Sequence, residues 1–473
     1  MRKIKVGLLT MSDGREHLNR DYAPITMKYQ REIIDALQAS GRYEVVAGSG
    51  PICSNDMARQ EAQRLRREGV DVTVINYSIW CYPQFTAVAT AIAPGPFLLF
   101  CNLHPSQCGM VGMLAAAGTL DQLERPYGRI WGSIHDPAVF SKVDRFLHAA
   151  AAISRLRGMT FGNFGGRPLG MYTAVANLDQ WQKLFGVDVE NIEQEDIVRA
   201  GQTASDADVE RALKWIEANA MDVRYNGTNL TPDILRTQIR SYYGLKKIID
   251  ERKLDFIGIK AHGDLTEHYC TLDVAEAFLN DPYDWDGPKE TCVAATEADM
   301  DGALTMQVFK LITGKPVLFC DVRHYDAEND VWFFSNSGTH ATYFAAASDS
   351  AEENLHQVSF LPETGDYPAG GASVQHFAAP GQVTLARLAR RGSRYCLTIV
   401  PAHLVQFDRE KMLAMGETTT PQWPIAFARL KVGPDFFLEN FPCNHIHGVY
   451  GDHVEELKTF AKLMNMDVQV FEE

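Results

Sequence analysis

The 473-residue chain contains no C-x-x-C pair, no block of Lys or Arg, no G-x-G-x-x-G loop and no internal repeat. Each absence removes a class. Its nine cysteines (53, 81, 101, 108, 270, 292, 320, 396 and 443) are scattered, several inside apolar runs such as Pro316-Val-Leu-Phe-Cys320. That argues against a zinc finger or disulfide framework and for buried reduced thiols in a cytoplasmic protein. With 45 Lys+Arg against 60 Asp+Glu the formal charge is −15. The resulting field repels phosphate backbones and anionic lipid, so neither nucleic acid nor membrane is an expected partner. Without a repeat, solenoids, propellers and an eightfold (β/α) barrel are disfavoured. Val6-Gly-Leu-Leu-Thr-Met-Ser-Asp-Gly-Arg15 lacks the dinucleotide fingerprint, which disfavours a nicotinamide dehydrogenase.

Charge is also missing locally. From Val72 to Leu120 there is no Asp, Glu, Lys or Arg. A membrane helix needs ~20 uninterrupted apolar residues, and Pro83, Pro94-Gly95-Pro96 and His104-Pro105 interrupt this stretch. It reads as central strands and turns, buried in the protein or at a subunit interface. The apolar stretch at the N-terminus is too short for a signal peptide and reads as a strand.

What is present is ordinarily globular: 46% hydrophobic, 22% charged, with 36 Gly and 21 Pro. This excludes disorder and collagen, and the length allows two to four domains at ~100–200 residues each. Over residues 1–157, short apolar runs (Ile4–Thr10, Glu44–Ala47, Val72–Tyr77, Phe97–Leu103, Ile130–Ile134) alternate with helical patterns at Met27–Ala39, Asn55–Glu68 and Pro137–Arg157. Such alternation predicts a parallel sheet covered on both faces. Functional groups of these sheets collect at the carboxyl ends of strands, where Arg15 and Trp80 fall.

A second α/β domain is expected over 158–312. It opens with Met159-Thr-Phe-Gly-Asn-Phe-Gly-Gly-Arg-Pro-Leu-Gly170, read as a tight turn and not a phosphate loop, since it fits neither phosphate-binding fingerprint. Helices at Asp206–Ala218 and Pro232–Arg252 and strands at Asp255–Lys260 and Cys292–Thr296 follow. From 313 to 473, strand-length runs joined by turns predict a mainly β, antiparallel or barrel-like domain, closed by a helix (Val454–Met464) and a strand (Asp467–Phe471). The expected fold is therefore two doubly wound α/β domains and a mainly β C-terminal domain.

Glu297 follows the apolar run Cys292-Val-Ala-Ala-Thr296, and Asp321 follows Val317-Leu-Phe-Cys320. Singly, these are a first-turn carboxylate and a turn aspartate, and His445 is a loop histidine. Together they make an oxygen-rich set with one imidazole, suited to Mn²⁺ or Mg²⁺. A spacing of 24 residues between the acids leaves room for a strand, a helix and the next strand, which would set the acids side by side. His324 and His340 compete as ligands on chemical grounds.

Ala295-Thr-Glu-Ala-Asp-Met-Asp-Gly-Ala-Leu-Thr-Met306, then Asp321-Val-Arg-His-Tyr325, Asn336-Ser-Gly338, Trp423-Pro424 and Asn444-His445 resemble the L-fucose isomerase family, which belongs with the arabinose isomerases. The likeness runs in order from Arg15 to the C-terminal helix and includes Asp284-Trp285-Asp286-Gly287. It implies a Mn²⁺-dependent aldose–ketose isomerase of carbohydrate metabolism, with Mg²⁺ or Co²⁺ as substitutes, assembled as a homo-oligomeric trimer or hexamer with active sites between subunits. Glu297 and Asp321 match the family's metal-binding acids, which also exchange the substrate proton, and His445 its third ligand. Arg15 and Trp80 resemble residues that reach a neighbouring subunit's pocket. Ser337, Tyr367, Trp423 and Asn444 fall where the family contacts sugar.

The chain also departs from that pattern. Lys260 stands where the long family members carry glutamine; its ammonium can hydrogen-bond a sugar hydroxyl, lower a neighbouring acid's pKa or pair with a substrate anion, and nearby His262 adds a second donor. The expected activity is isomerisation of a free sugar such as L-fucose or D-arabinose through a cis-enediol. An isomerase of a modified or anionic sugar is the alternative, followed by a non-catalytic sugar-binding protein and a metal-dependent lyase or epimerase.

Overall fold

The computed structural model describes residues 2–338, 340–363 and 365–472. It divides into two compact units, Met1–Arg157 with Glu455–Met466, and Gly158–Val454 with Asp467–Glu473. In the first, strands Ile4–Met11, Tyr43–Ala47, Val72–Tyr77, Phe97–Cys101 and Tyr127–Trp131 form one parallel sheet in the order second, first, third, fourth, fifth. Val72–Tyr77 and Phe97–Cys101 are central and buried along their whole length, which explains their lack of charge. The rest of the charge-free stretch is less covered, because Leu103, Met110, Val111 and Leu114 are exposed. The first helix begins at Glu16, earlier than Met27, since its opening turns are polar and contain Pro24, leaving no apolar period to read. All nine cysteines are free thiols, five of them buried.

The second unit contains a four-stranded parallel sheet in the spatial order Ala294–Thr296, Phe256–Ile259, Thr160–Phe164, Asp188–Ile192. It also contains a seven-stranded sheet running Gly381–Arg391, His445–Tyr450, Leu318–Asp326, Val331–Ser335, Ile425–Leu430, Arg394–Leu404, Asp467–Val470. All neighbours in the latter are antiparallel except the final pair. Gly381–Arg391 also pairs with Arg394–Leu404, closing six strands into a barrel. Inward residues such as Leu318, Phe334, Leu385, Val400 and Ile446 fill it.

The two acids reach each other by a different route from the one expected. Ala294–Thr296 is an edge of the parallel sheet, whereas Leu318–Asp326 is a barrel strand, and Asp321 lies within that strand and not at its end. The connecting helix, Met300–Thr313, is apolar and buried on nearly every side, packing on strands of both sheets. It ends at Gly314 in a left-handed conformation, and the chain then enters the barrel. A shared helix therefore joins sheet to barrel, in place of a strand–helix–strand step within one sheet.

The turn before this helix is strained: Glu297 and Ala298 have φ of 57° and 44°. Ala298 N–H bonds to Ile259 C=O at 2.8 Å, holding the turn against the neighbouring strand. Gly258 permits that approach, because a Cβ there would lie 3.1 Å from Ala298 Cα and 2.8 Å from Phe161 Cζ. Gly258→Ala is expected to lower unfolding stability by about 1–3 kcal/mol through overpacking. Urea denaturation checks this, and an unchanged midpoint would show that the turn has room to spare.

Candidate active site

Glu297, Asp321 and His445 converge. One ligand atom from each lies within 4.8 Å of the others. His445 and Asp321 are register partners on adjacent barrel strands, so the ladder itself sets them side by side. Glu297 comes from the strained turn after the parallel sheet, where functional groups of such sheets collect. Asn336 ties the acids together: its Nδ2 donates to Glu297 Oε1 at 3.2 Å and to Asp321 Oδ2 at 3.1 Å.

A group that sequence reading missed orients the imidazole. Asp299 caps the helix Met300–Thr313 through Gly302 N–H, at 2.9 Å, and its Oδ2 accepts from His445 Nδ1 at 2.7 Å. Arg387, buried on strand Gly381–Arg391, grips the same carboxylate through both terminal nitrogens and donates to Thr173 C=O at 2.8 Å. Burial alone would raise Asp299, but the Arg387 charge and the His445 bond outweigh it and hold the carboxyl well below the usual range. His447, two residues on, is also buried, takes a hydrogen bond from Arg387 and is pushed well below the usual histidine range by burial and that charge. The ordinary look of Asp299, one acid among several in a helix-opening run, hid its role.

This arrangement fits a cation. With Nδ1 engaged by Asp299, His445 Nε2 points between Glu297 Oε2 (3.4 Å) and Asp321 Oδ1 (3.3 Å) and has no hydrogen-bond partner among the described residues, although it is fully buried. Burial opposes charge on His445, yet the bond to Asp299 and the two facing carboxylates, Asp321 and Glu297, raise it well above the usual range, a mark of the surplus negative charge here. Two carboxylate oxygens, one imidazole nitrogen and an outer carboxylate fixing the ring are the donor set of a divalent site.

Four of the other sequence-singled residues form one cluster next to it. Ser337, adjacent to Asn336, hydrogen-bonds through its hydroxyl to Tyr367 Oη at 2.9 Å. Tyr367 stacks on His262 with centroids 5.1 Å apart and leans on Trp423 at 6.3 Å. Arg323 covers the Trp423 ring at 5.1 Å. Lys260 follows strand Phe256–Ile259, and its ammonium makes no ion pair among the described residues. Asn444 is exposed, with its amide toward Met171 Sδ at 3.7 Å. His324 and His340 are not in the triad. His324 lies against Phe333, and His340 is buried with Nε2 3.2 Å from Cys320 Sγ.

Arg15 and Trp80 belong to the first unit. They follow its first and third strands, where the strand order reverses and open α/β sheets bind ligands. Arg15 is half exposed and doubly bonded to buried Asp13, at 2.9 and 2.6 Å. The polar residues beneath are linked, with Asn76 donating to Ser78 Oγ at 3.2 Å and Asn102 to Asn76 at 3.3 Å.

Three family models match the chain: the first N-terminal domain of L-fucose isomerase over residues 3–158, the second N-terminal domain over 253–314, and the C-terminal domain over 334–472. An L-fucose isomerase of Bacteroides fragilis is 25% identical, covering 98% of this chain and 92% of its own. L-fucose isomerases of Haemophilus influenzae and Streptococcus pneumoniae are 22% identical, again over 98% of this chain and over 92% and 93% of theirs.

Asp299→Asn is expected to weaken divalent-metal binding about 10–100-fold, because the imidazole loses its orienting anion. It also leaves Arg387 buried without its main counter-charge, costing about 3–5 kcal/mol of stability. Calorimetric titration of chelator-treated protein and urea denaturation read the two effects separately. Wild-type affinity in the variant would remove Asp299 from the site.

Proposed function

The chain belongs to the L-fucose isomerase family and is an aldose–ketose isomerase; on that premise we propose that it interconverts a free aldose, such as L-fucose or D-arabinose, with its ketose through a cis-enediol. Glu297, Asp321 and His445 would hold the metal, Mn²⁺ by preference, with Mg²⁺ or Co²⁺ as substitutes. The observation that carries this reading is their convergence from a parallel-sheet turn and two barrel strands around one buried imidazole nitrogen.

A divalent ion in that position supplies Lewis acidity to the sugar oxygens beside the migrating hydrogen. The chain's own residues do the rest. One of the paired carboxylates, Glu297 or Asp321, takes the proton from C2 of the aldose and returns it to C1. The other carries the hydroxyl proton from O2 to O1. Asn336 keeps the two acids in register, and Asp299 keeps the His445 nitrogen turned toward them. Trp423 and Tyr367 offer flat apolar surface to a sugar face, while Ser337, His262 and Asn444 offer hydroxyl, ring-nitrogen and amide partners.

A second reading, an isomerase of an anionic or otherwise modified sugar, is favoured by Lys260, a cation without an ion pair among the described residues near His262. The domain division proposed is 1–157, 158–312 and 313–473. Self-association as a trimer or hexamer is supported by the exposed Leu103, Met110, Val111 and Leu114 of the charge-free stretch. In that assembly Arg15 and Trp80 are assigned to a neighbouring copy's pocket. A cytoplasmic location is likewise proposed; among the described residues no helix is long and apolar enough to cross a membrane.

Stripping metal with chelator should abolish ketose formation across an aldose panel, and Mn²⁺ should restore it. Glu297→Gln and Asp321→Asn should each lower kcat by about 10²–10⁴-fold with the fold retained by circular dichroism. Near-normal turnover in either variant sinks the assignment of the acids. Lys260→Gln separates the two substrate readings: a selective loss on anionic sugars favours the second, and equal rates on neutral ones leave the first.

A further inference from the structure

Behind the Trp423 indole stands a pair of buried acids. Asp273 opens the helix Asp273–Asn280, all eight residues of which are buried, and Glu363 follows the strand Ser359–Pro362. They are 4% and 0% exposed. Glu363 Oε2 accepts the Trp423 Nε1–H at 3.1 Å. The other oxygens, Glu363 Oε1 and Asp273 Oδ2, meet no N–H or O–H donor among the described residues. The backbone brings the two acids together: Glu363 N–H bonds to Gly371 C=O at 2.8 Å, and Thr271, two residues before Asp273, bonds to Gly370 C=O at 2.9 Å. Two buried carboxyl oxygens without donors in one neighbourhood favour a proton on one of them, since an ionised carboxylate only accepts.

We propose that Asp273 and Glu363 share one proton and act together as a positioning pair, fixing the Trp423 indole, and with it Tyr367, as a wall of the sugar pocket on which the functional reading above rests. The surroundings favour that proton. Burial pushes Asp273 up to about 7 and, with the Asp273 charge, raises Glu363 well above the carboxylate range. The titratable groups beside the pair are Glu276, on the same helix, which Asp273 raises, and the Tyr367 phenol, which both acids raise; each also feels Glu297. Helix Pro232–Arg252 brings neutral Gln238, bonded to Thr271, and Tyr242, bonded to Asp284. Strand Ala372–Gln375 brings no charge. Gln422 also bonds to Glu363 and is neutral. Arg323 is exposed and lies on the Trp423 face. Every charge facing the pair directly is therefore negative or absent. If the proton leaves, two like charges remain in a dry site and the acceptor that fixes Trp423 is no longer held.

The test uses the full chain with Mn²⁺ restored. Glu363→Leu removes the acceptor and should raise KM for the aldose by about tenfold while kcat changes less. Glu363→Gln keeps an oxygen for Trp423 and an N–H for Asp273, so it should recover most of that loss. Asp273→Asn is the second arm, should a Glu363 variant fold poorly. Thermal unfolding against pH needs no substrate. The native pair keeps a proton that the unfolded chain gives up near pH 4, so wild-type stability should fall relative to Glu363→Gln as pH rises from about 4 toward 7. Parallel pH curves for the two proteins overturn the shared proton, and equal KM in the Gln and Leu variants overturns the positioning role. A wild type that turns over no aldose sinks the functional reading instead, and the pH curves still decide on the pair.

Discussion

A carboxylate as deeply buried as Asp299 stays ionised only where positive charge offsets its lost hydration. Here Arg387 does so from the barrel wall and His445 from the rim. The arrangement works in both directions. Arg387 is itself buried and tolerable only because Asp299 is there, and the imidazole is turned by the same carboxylate. One acid therefore caps the Met300–Thr313 helix, neutralises a barrel arginine and aims His445 Nε2 between Glu297 and Asp321. Glu297, Asp321 and His445 come from a turn and two barrel strands, and Asp299 lies two residues from the first and bonds to the last.

Much of the site was legible in the sequence. Strand ends are visible as apolar runs meeting polar residues, which is how Glu297, Asp321, Arg15 and Trp80 came to notice. His445 joined them as the imidazole of an oxygen-rich set, and the family likeness then supplied Ser337, Tyr367 and Trp423 in order along the chain. What no pattern revealed is how the barrel closes. Asp321 pairing with His445, and Arg387 meeting Asp299, join positions far apart in sequence through sheet register. Register is set by the whole set of strand pairings and leaves no local mark. The same limit misplaced the acids on neighbouring strands of one sheet: the spacing was compatible with that, and only the all-round burial of the connecting helix shows why it bridges sheet and barrel instead.

Local chemistry was also hidden where a residue type has many ordinary uses. Asp273, Asp299 and Glu363 drew no notice in the sequence, because acids that open helices or follow strands are common. Nothing in their neighbours distinguishes a surface position from a buried one. Gly258 is similar, one glycine among 36 in the chain, and its importance comes only from the backbone of Ala298 lying across it.

Acids of the same two types are thus held in opposite states within one site. Around the triad, Arg387 and His445 keep Asp299 ionised, and a bound cation would do the same for Glu297 and Asp321. Behind the aromatic wall no cation approaches, so burial favours the protonated form and the pair becomes a donor as well as an acceptor. Environment, not residue type, sets the protonation state, so carboxyl groups of one kind can serve as anions around the triad and as a hydrogen-bonding pair behind Trp423. Sharing a proton, the pair carries one negative charge in place of two, next to a site that already has a surplus.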